Sequence, residues 1–183
     1  LDQNGYEQVY NDAWWYKLRT GTAVKGVFWN PRKLGGLGDI EIRLCDVLNL
    51  YWEPGAEDIQ ESPHLFCLKL ASVNELQAMY PWAVIRPGDV SQVKQYQYDD
   101  TVDTTDKVVV TDWYYKKRAG GRSVLHYCKF VGDTVLYASE NVPEYASRGY
   151  YDHGKYPYVF DTLFPVAGSP CGFGQIDVTK DTQ

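Results

Sequence analysis

Long apolar runs are missing from this sequence: no stretch approaches the roughly 20 residues that a membrane-crossing helix needs, and no basic-then-apolar leader opens it. The expectation is a soluble intracellular part. Methionine is nearly absent, with Met79 alone, and the chain starts at Leu1, so the sequence reads as a piece excised from a longer polypeptide. Only four cysteines occur, Cys45, Cys67, Cys128 and Cys171, with no C-x-x-C pair, so they are expected as reduced, mostly buried small hydrophobes and not as a disulfide framework. Basic charge is also short. Eighteen Lys and Arg face 24 Asp and Glu, for a net charge of -6 and a pI near 5.0, which argues against a polyphosphate-binding surface. The longest basic run, Lys116-Lys117-Arg118, reads as a solvated hairpin end.

Aromatic residues are in excess. Sixteen Tyr, six Trp and six Phe make up 15% of 183 residues, favouring β structure and large packed or contact surfaces over a helical bundle. Apolar residues at 44% and charged residues at 23% are ordinary globular usage, and a chain this long buries roughly 70% of its unfolded surface if it folds alone.

Hydrophobic spacing predicts a helix over 4–20, with Tyr6, Val9, Tyr10, Ala13, Trp14 and Leu18 on the packed face, an Asn4/Glu7 capping box and Gly21 as terminator. Trp15 and Tyr16 fall off that stripe. Strands are predicted over 22–29 and 39–44, the second with Ile40, Ile42 and Leu44 toward a core and Asp39, Glu41 and Arg43 toward water. The run 64–71 reads as a strand covered on both sides, followed by a short helix with a Ser72/Glu75 capping box that ends before Pro81. Residues 86–106 are polar, and Asp99, Asp100, Asp103 and Asp106 lack the spacing of a calcium loop. A three-stranded antiparallel meander is predicted over 107–117, 122–131 and 134–138, turning at Gly120-Gly121 and Gly132-Asp133. Tyr156 to Asp161 reads as an edge strand entered through Pro157, and the remainder as turns with a polar end. The fold class expected is α+β: antiparallel sheets with a long N-terminal helix and one short helix.

Catalytic signatures are wanting. No phosphate-cradling G-x-x-x-x-G-K-[ST], G-x-G-x-x-G, H-E-x-x-H or G-x-S-x-G occurs. Cys171 lies between Pro170 and Gly172, and His126 or His153 would have to serve as its base, yet nothing in the spacing brings either near. His126 and Cys128 share one strand face, where zinc would require a second such pair. A hydrogen-bonded core histidine is the expectation for His126. A glycosidase-like carboxylate pair would have to be assembled by folding, because its geometry is not written in spacing. No residue is assigned a catalytic, cofactor-binding or metal-binding role. An aromatic-rich β module that binds carbohydrate or peptide, through residues such as Trp113 or Tyr151, is the alternative class.

Several stretches in order carry a resemblance: Lys17 to Gly21, the hairpin from Val27-Phe28-Trp29-Asn30-Pro31 to Gly38-Asp39-Ile40, the segment from Leu50 to Gln60, Met79-Tyr80-Pro81, Tyr156 to Phe160, Pro165, Gly168 to Gly174, and Ile176-Asp177. Together they resemble the portal proteins of tailed bacteriophages, of the type found in phages and prophages of Gram-positive hosts. The resemblance implies the outward-projecting α+β wing of a portal subunit, with 1–85 as a helix-and-hairpin part, 86–106 as a polar loop or linker, and 107–183 as a meander and Tyr/Gly/Pro-rich part of one structural unit. It further implies a dodecameric ring at a capsid vertex, without an enzyme activity of its own. Double-stranded DNA passes through such a ring without sequence-specific contacts. Implied partners are other portal subunits, capsid and scaffold proteins, and terminase and head-completion proteins through regions beyond Gln183, and the implied location is the virion, with assembly in the host cytoplasm. Stem, clip, tunnel loop and crown have no counterpart in this sequence, so no DNA-binding residue is carried over.

Overall fold

In a computed structural model the chain adopts an α+β fold with three antiparallel sheets and a long N-terminal helix; residues 5–93, 104–119 and 121–180 are described. It divides into two compact units, each built from discontinuous chain.

The first unit comprises Leu1–Val47, Pro54–Glu61 and Pro157–Gln183. Helix α1 (Tyr6–Thr20) ends as expected at Gly21, whose φ of 83° permits its N–H to reach the Lys17 carbonyl at 2.9 Å. A Cβ there would also lie 2.3 Å from the Phe173 backbone, so glycine is required twice over. Asn4 lies outside the described residues, and Gly5 occupies the N-cap. Strands β1 (Thr22–Asn30), β2 (Asp39–Cys45) and β8 (Tyr158–Thr162) form a sheet in the order β2-β1-β8, with β8 at an edge as expected. One face holds the core: the Phe28 ring folds back over Gly26, meets Tyr158 edge-on at 5.6 Å, and carries the Arg43 guanidinium 4.6 Å above it. On the other face, Lys17 and Lys25 both bind the Asp161 carboxylate, at 2.6 and 2.8 Å, tying α1 to β1 and β8. A two-stranded ribbon, β9 (Phe164–Pro165) with β10 (Gly172–Phe173), and helix α4 (Gln175–Thr179) complete this unit.

Two expectations for this unit are corrected. Of the α1 stripe only Ala13 is buried, while Tyr10, Trp14 and Leu18 remain exposed together with Trp15. The alternating strand β2 does not bury its apolar set: Ile40 is 48% exposed and Ile42 and Leu44 are half-buried, whereas Arg43 packs on Phe28 and Glu41 accepts from Asn30 at 2.8 Å. Alternation specifies which residues share a face, not which face finds a cover.

The second unit comprises Leu48–Glu53 and Ser62–Tyr156. Strands β3 (Leu50–Trp52), β4 (His64–Ser72), β5 (Lys107–Ala119), β6 (Arg122–Val131) and β7 (Thr134–Ala138) run antiparallel in that order, so the expected meander is present and extended by two strands. Its turns use Gly121 (φ 80°) and Gly132 (φ 52°); Gly120 lies outside the described residues. Helix α2 (Val73–Met79) packs Leu76 against Val108, Val110, Val131 and Leu136, with Ala83 and Ile85 beside it. Ser72 does not cap α2 with its side chain; its hydroxyl donates to the Asp106 carboxylate at 2.8 Å. Strand β4 is not covered on both sides, since His64, Phe66, Leu68 and Leu70 are all half-buried. The described part of the polar stretch, 86–93 and 104–106, belongs within this unit, while Asp99, Asp100 and Asp103 lie outside the described residues. A short helix, α3 (Pro143–Ala146), follows the meander.

Candidate functional site

The polar groups with the most unusual surroundings sit on the two faces of the five-stranded sheet. Register assigns them. On β5, Asp112 and Tyr114 point one way and Trp113 and Tyr115 the other, and the pairings Tyr114↔Tyr127 and Tyr115↔His126 sort β6 in the same manner.

The first face carries a run of rings. Phe66 lies opposite Trp113 with planes 4° apart and centroids at 5.7 Å, Trp113 stacks on Tyr115 at 4.2 Å, and Tyr115 is followed by His126 at 5.6 Å. The Trp113 indole donates to His64 Nδ1 at 3.3 Å. Trp113, the residue named for the alternative binding reading, thus sits half-buried within this run of rings.

His126 is 2% exposed and Ser139 0%. The Ser139 hydroxyl oxygen accepts the Tyr127 N–H at 2.9 Å and shares a hydrogen bond of 3.1 Å with His126 Nδ1. The other ring nitrogen, Nε2, faces Glu140 Oε1 at 4.0 Å. Burial holds the His126 pKa below its ordinary value; Glu140 opposes that shift and Lys117 adds to it. Glu140 accepts from Lys117 at 2.5 Å and Tyr115 at 2.8 Å, and those bonds keep its carboxyl below the usual carboxylate range. Serine, histidine and glutamate are thus adjacent, but the serine is sealed beneath β6 and held by a backbone donor. The trio fastens the end of β7 to β6 and offers no nucleophile to a substrate.

The opposite face holds Asp112, 3% exposed in the sheet centre. Lys69 approaches at 2.5 Å, Lys129 at 3.8 Å, and the Tyr127 hydroxyl donates at 2.7 Å. Burial alone would raise this carboxyl; the two ammonium groups and the hydrogen bonds outweigh it, and its pKa lies below the ordinary value. Tyr127 belongs to a cluster with Tyr114 at 4.8 Å, Tyr150 at 5.0 Å and Tyr137 at 5.8 Å. Burial raises the pKa of each of these phenols, so they are uncharged packing groups at neutral pH.

A recess of about 270 Å³ opens where the loop 147–154 lies against the start of β6, lined by Arg122, Ser123, Ser147, Arg148, Tyr151 and Asp152 among others. Gly149 sets that approach: at φ 88° its Cα packs so tightly that a Cβ would lie 2.8 Å from the Leu125 carbonyl. Arg148 is claimed by Glu144 at 2.6 Å and Asp152 at 3.3 Å. Of the recess's charged groups, Arg148 and Asp152 are therefore paired with each other.

The remaining sequence candidates are divided between the two units. Cys171 is in the first unit, which contains no histidine, whereas His126 and His153 belong to the second. Burial pushes the Cys171 thiol up, with a Thr22 contact opposing, which disfavours the thiolate. Cys128 is raised by burial and by Glu140. Among the described residues no group of three or more His, Cys, Asp or Glu is placed to hold a metal ion, and no helix is long and apolar enough to cross a membrane. Lys116 and Lys117 are not a free basic run: Lys116 lies 4.7 Å above the Tyr156 ring and Lys117 binds Glu140. Sequence reasoning missed Asp112, Ser139 and Glu140, and the one available signal was a lone charge, Asp112, inside the β-branched and aromatic run from Val108 to Tyr115. Comparison with known proteins finds no matching family model and no matching curated protein.

Proposed function

We propose that this chain is a structural part of a phage portal subunit, the wing of a ring through which double-stranded DNA enters and leaves a capsid. The observation that carries the reading is helix α1: fifteen residues long, it buries Ala13 alone and turns Tyr10, Trp14, Trp15 and Leu18 outward. Large apolar side chains concentrated on one exposed element mark a contact surface. In a ring, a neighbouring subunit covers it. The acidic balance of the chain suits a scaffold past which DNA moves without adhering. The polar clusters support a passive role, since Ser139, His126 and Asp112 are each enclosed and spent on bonds within the sheet. On this reading the partners are further subunits, capsid and scaffold proteins, with terminase and head-completion proteins acting on other regions of the subunit, and the protein is assembled in the host cytoplasm and resides in the virion.

The test is electron microscopy of a polypeptide that carries this chain in its full reading frame. Closed rings of uniform subunit number are expected. A folded, monodisperse monomer under the same conditions overturns the reading.

A further inference from the structure

The outer edge of β2 has the pattern of a strand that pairs with itself. Direction of hydrogen bonding can be traced across the first sheet. The Val27 N–H reaches the Pro157 carbonyl on the β8 side, so the adjacent Phe28 directs its backbone groups to β2. Phe28 is in register with Glu41. Asp39, Glu41 and Arg43 therefore point their N–H and C=O groups inward to β1, and Ile40, Ile42 and Leu44 point theirs outward. Local side chains occupy those of Ile40, with Asp39 Oδ1 accepting its N–H at 2.8 Å and the Lys33 ammonium reaching its carbonyl at 3.1 Å. Among the described residues, no backbone partner lies on the outward groups of Ile42 and Leu44.

Edges left open in this manner are ordinarily blunted by proline, a bulge or an inward charge. Strand β2 keeps seven consecutive pairs with β1 and contains no proline. Its order, Asp39-Ile40-Glu41-Ile42-Arg43-Leu44-Cys45, is complementary to its own reverse. Laid antiparallel about a two-fold axis at Ile42, it sets Ile42 against Ile42 of the second copy, Ile40 against Leu44, and Glu41 against Arg43. The Ile42 pair, whose outward backbone groups carry no backbone partner, exchanges two hydrogen bonds, and the two Ile40–Leu44 pairs add theirs as Asp39 Oδ1 and the Lys33 ammonium give up the Ile40 backbone. The Glu41 and Arg43 pairs fall at the closer, non-hydrogen-bonded positions, where opposite charges interact best. Arg43 is already held over Phe28, and the exposed Val27, Trp29 and Ile40 continue the apolar side across the junction.

We propose that β2 docks against β2 of a second copy of this chain, joining two three-stranded sheets into one six-stranded antiparallel sheet with two-fold symmetry. The inference does not rest on the portal reading: a ring closes through unlike surfaces, whereas this contact uses the same surface twice.

Sedimentation velocity of the full chain over a concentration series tests it, with Glu41→Arg, Arg43→Glu, their equimolar mixture and the double exchange. The native chain is expected to dimerise reversibly. Each single variant places like charges opposite each other at two symmetric positions and should raise the dimer dissociation constant about tenfold or more. Mixing the two single variants restores Glu–Arg facing in a heterodimer, and the double exchange restores it in a homodimer; both should return to near the native constant. Where far-UV circular dichroism shows a single variant unfolded, Ile42→Pro removes a donor that the β1 ladder does not use and should abolish dimerisation, with a native far-UV spectrum showing that β1–β2 pairing survives the ring's fixed φ. A native chain that stays monomeric up to about 100 μM overturns the proposal. So does a dimer insensitive to these changes, or a mixture that fails to recover.

Discussion

Tyr127 donates its hydroxyl proton to Asp112 from the neighbouring strand, at 2.7 Å, inside a cluster of tyrosine rings. That bond and the two lysines keep the sheet-centre carboxylate ionised despite its burial.

Removing either side of the contact separates its parts. Tyr127→Phe forfeits one hydrogen bond to a charged group, about 1.5–3 kcal/mol. Asp112→Ala also leaves Lys69 and Lys129 facing each other over an apolar floor, and should cost more, about 2–4 kcal/mol, moderated because both lysines keep partial contact with water. Urea unfolding midpoints of the two variants give the order; an Asp112→Ala variant as stable as Tyr127→Phe would contradict it.

Acid should weaken the second unit in two steps. His126 has a folded pKa below its unfolded value near 6.5, so the unfolded chain takes up protons first and stability falls as pH drops below about 6.5. Asp112 also has a depressed pKa; its contribution is complete above an unfolded value near 3.9 and is lost only as pH falls through the lower, folded value. Thermal melts from pH 7 to 4 should show the first decline, and His126→Gln should flatten it.

Gly149→Ala should destabilise by about 2 kcal/mol or more, since a side chain at φ 88° is strained by about 1–2 kcal/mol and its Cβ strikes the Leu125 carbonyl. Gly55 also has a positive φ, 85°, but nothing lies within 4 Å of its added Cβ, so Gly55→Ala should lose only the conformational part. Chemical denaturation of the pair isolates the cost of close approach.

On the proposed portal reading, Trp15 separates folding from assembly. It is 61% exposed on α1, so Trp15→Ala should change the stability of the chain by no more than about 0.5 kcal/mol while, on that reading, lowering the yield of rings seen by electron microscopy. Unchanged ring yield would remove α1 from the contact.

The elements were largely legible in the chain because local rules produce them. Period-two alternation marked β2, Gly132 placed a hairpin, and Gly21 stopped α1, each through backbone geometry that needs no distant partner. The short helices α3 and α4 were not foreseen, because four or five residues carry too little periodicity to register. The polar sites were illegible for a different reason. Ser139 meets His126, and Lys69 and Lys129 meet Asp112, only through cross-strand register, and residues up to 43 positions apart carry no mutual signal in sequence.

Composition and alternation thus settled that the chain is an aromatic-rich α+β protein and which side chains share each face. Cover was settled by folding: whether an apolar face becomes a core depends on what else arrives above it. For Leu76 and its neighbours something did, and for Ile40, Trp15 and the outer face of α1 it did not. Water is excluded by volume filled from all directions, a three-dimensional property that no one-dimensional pattern encodes.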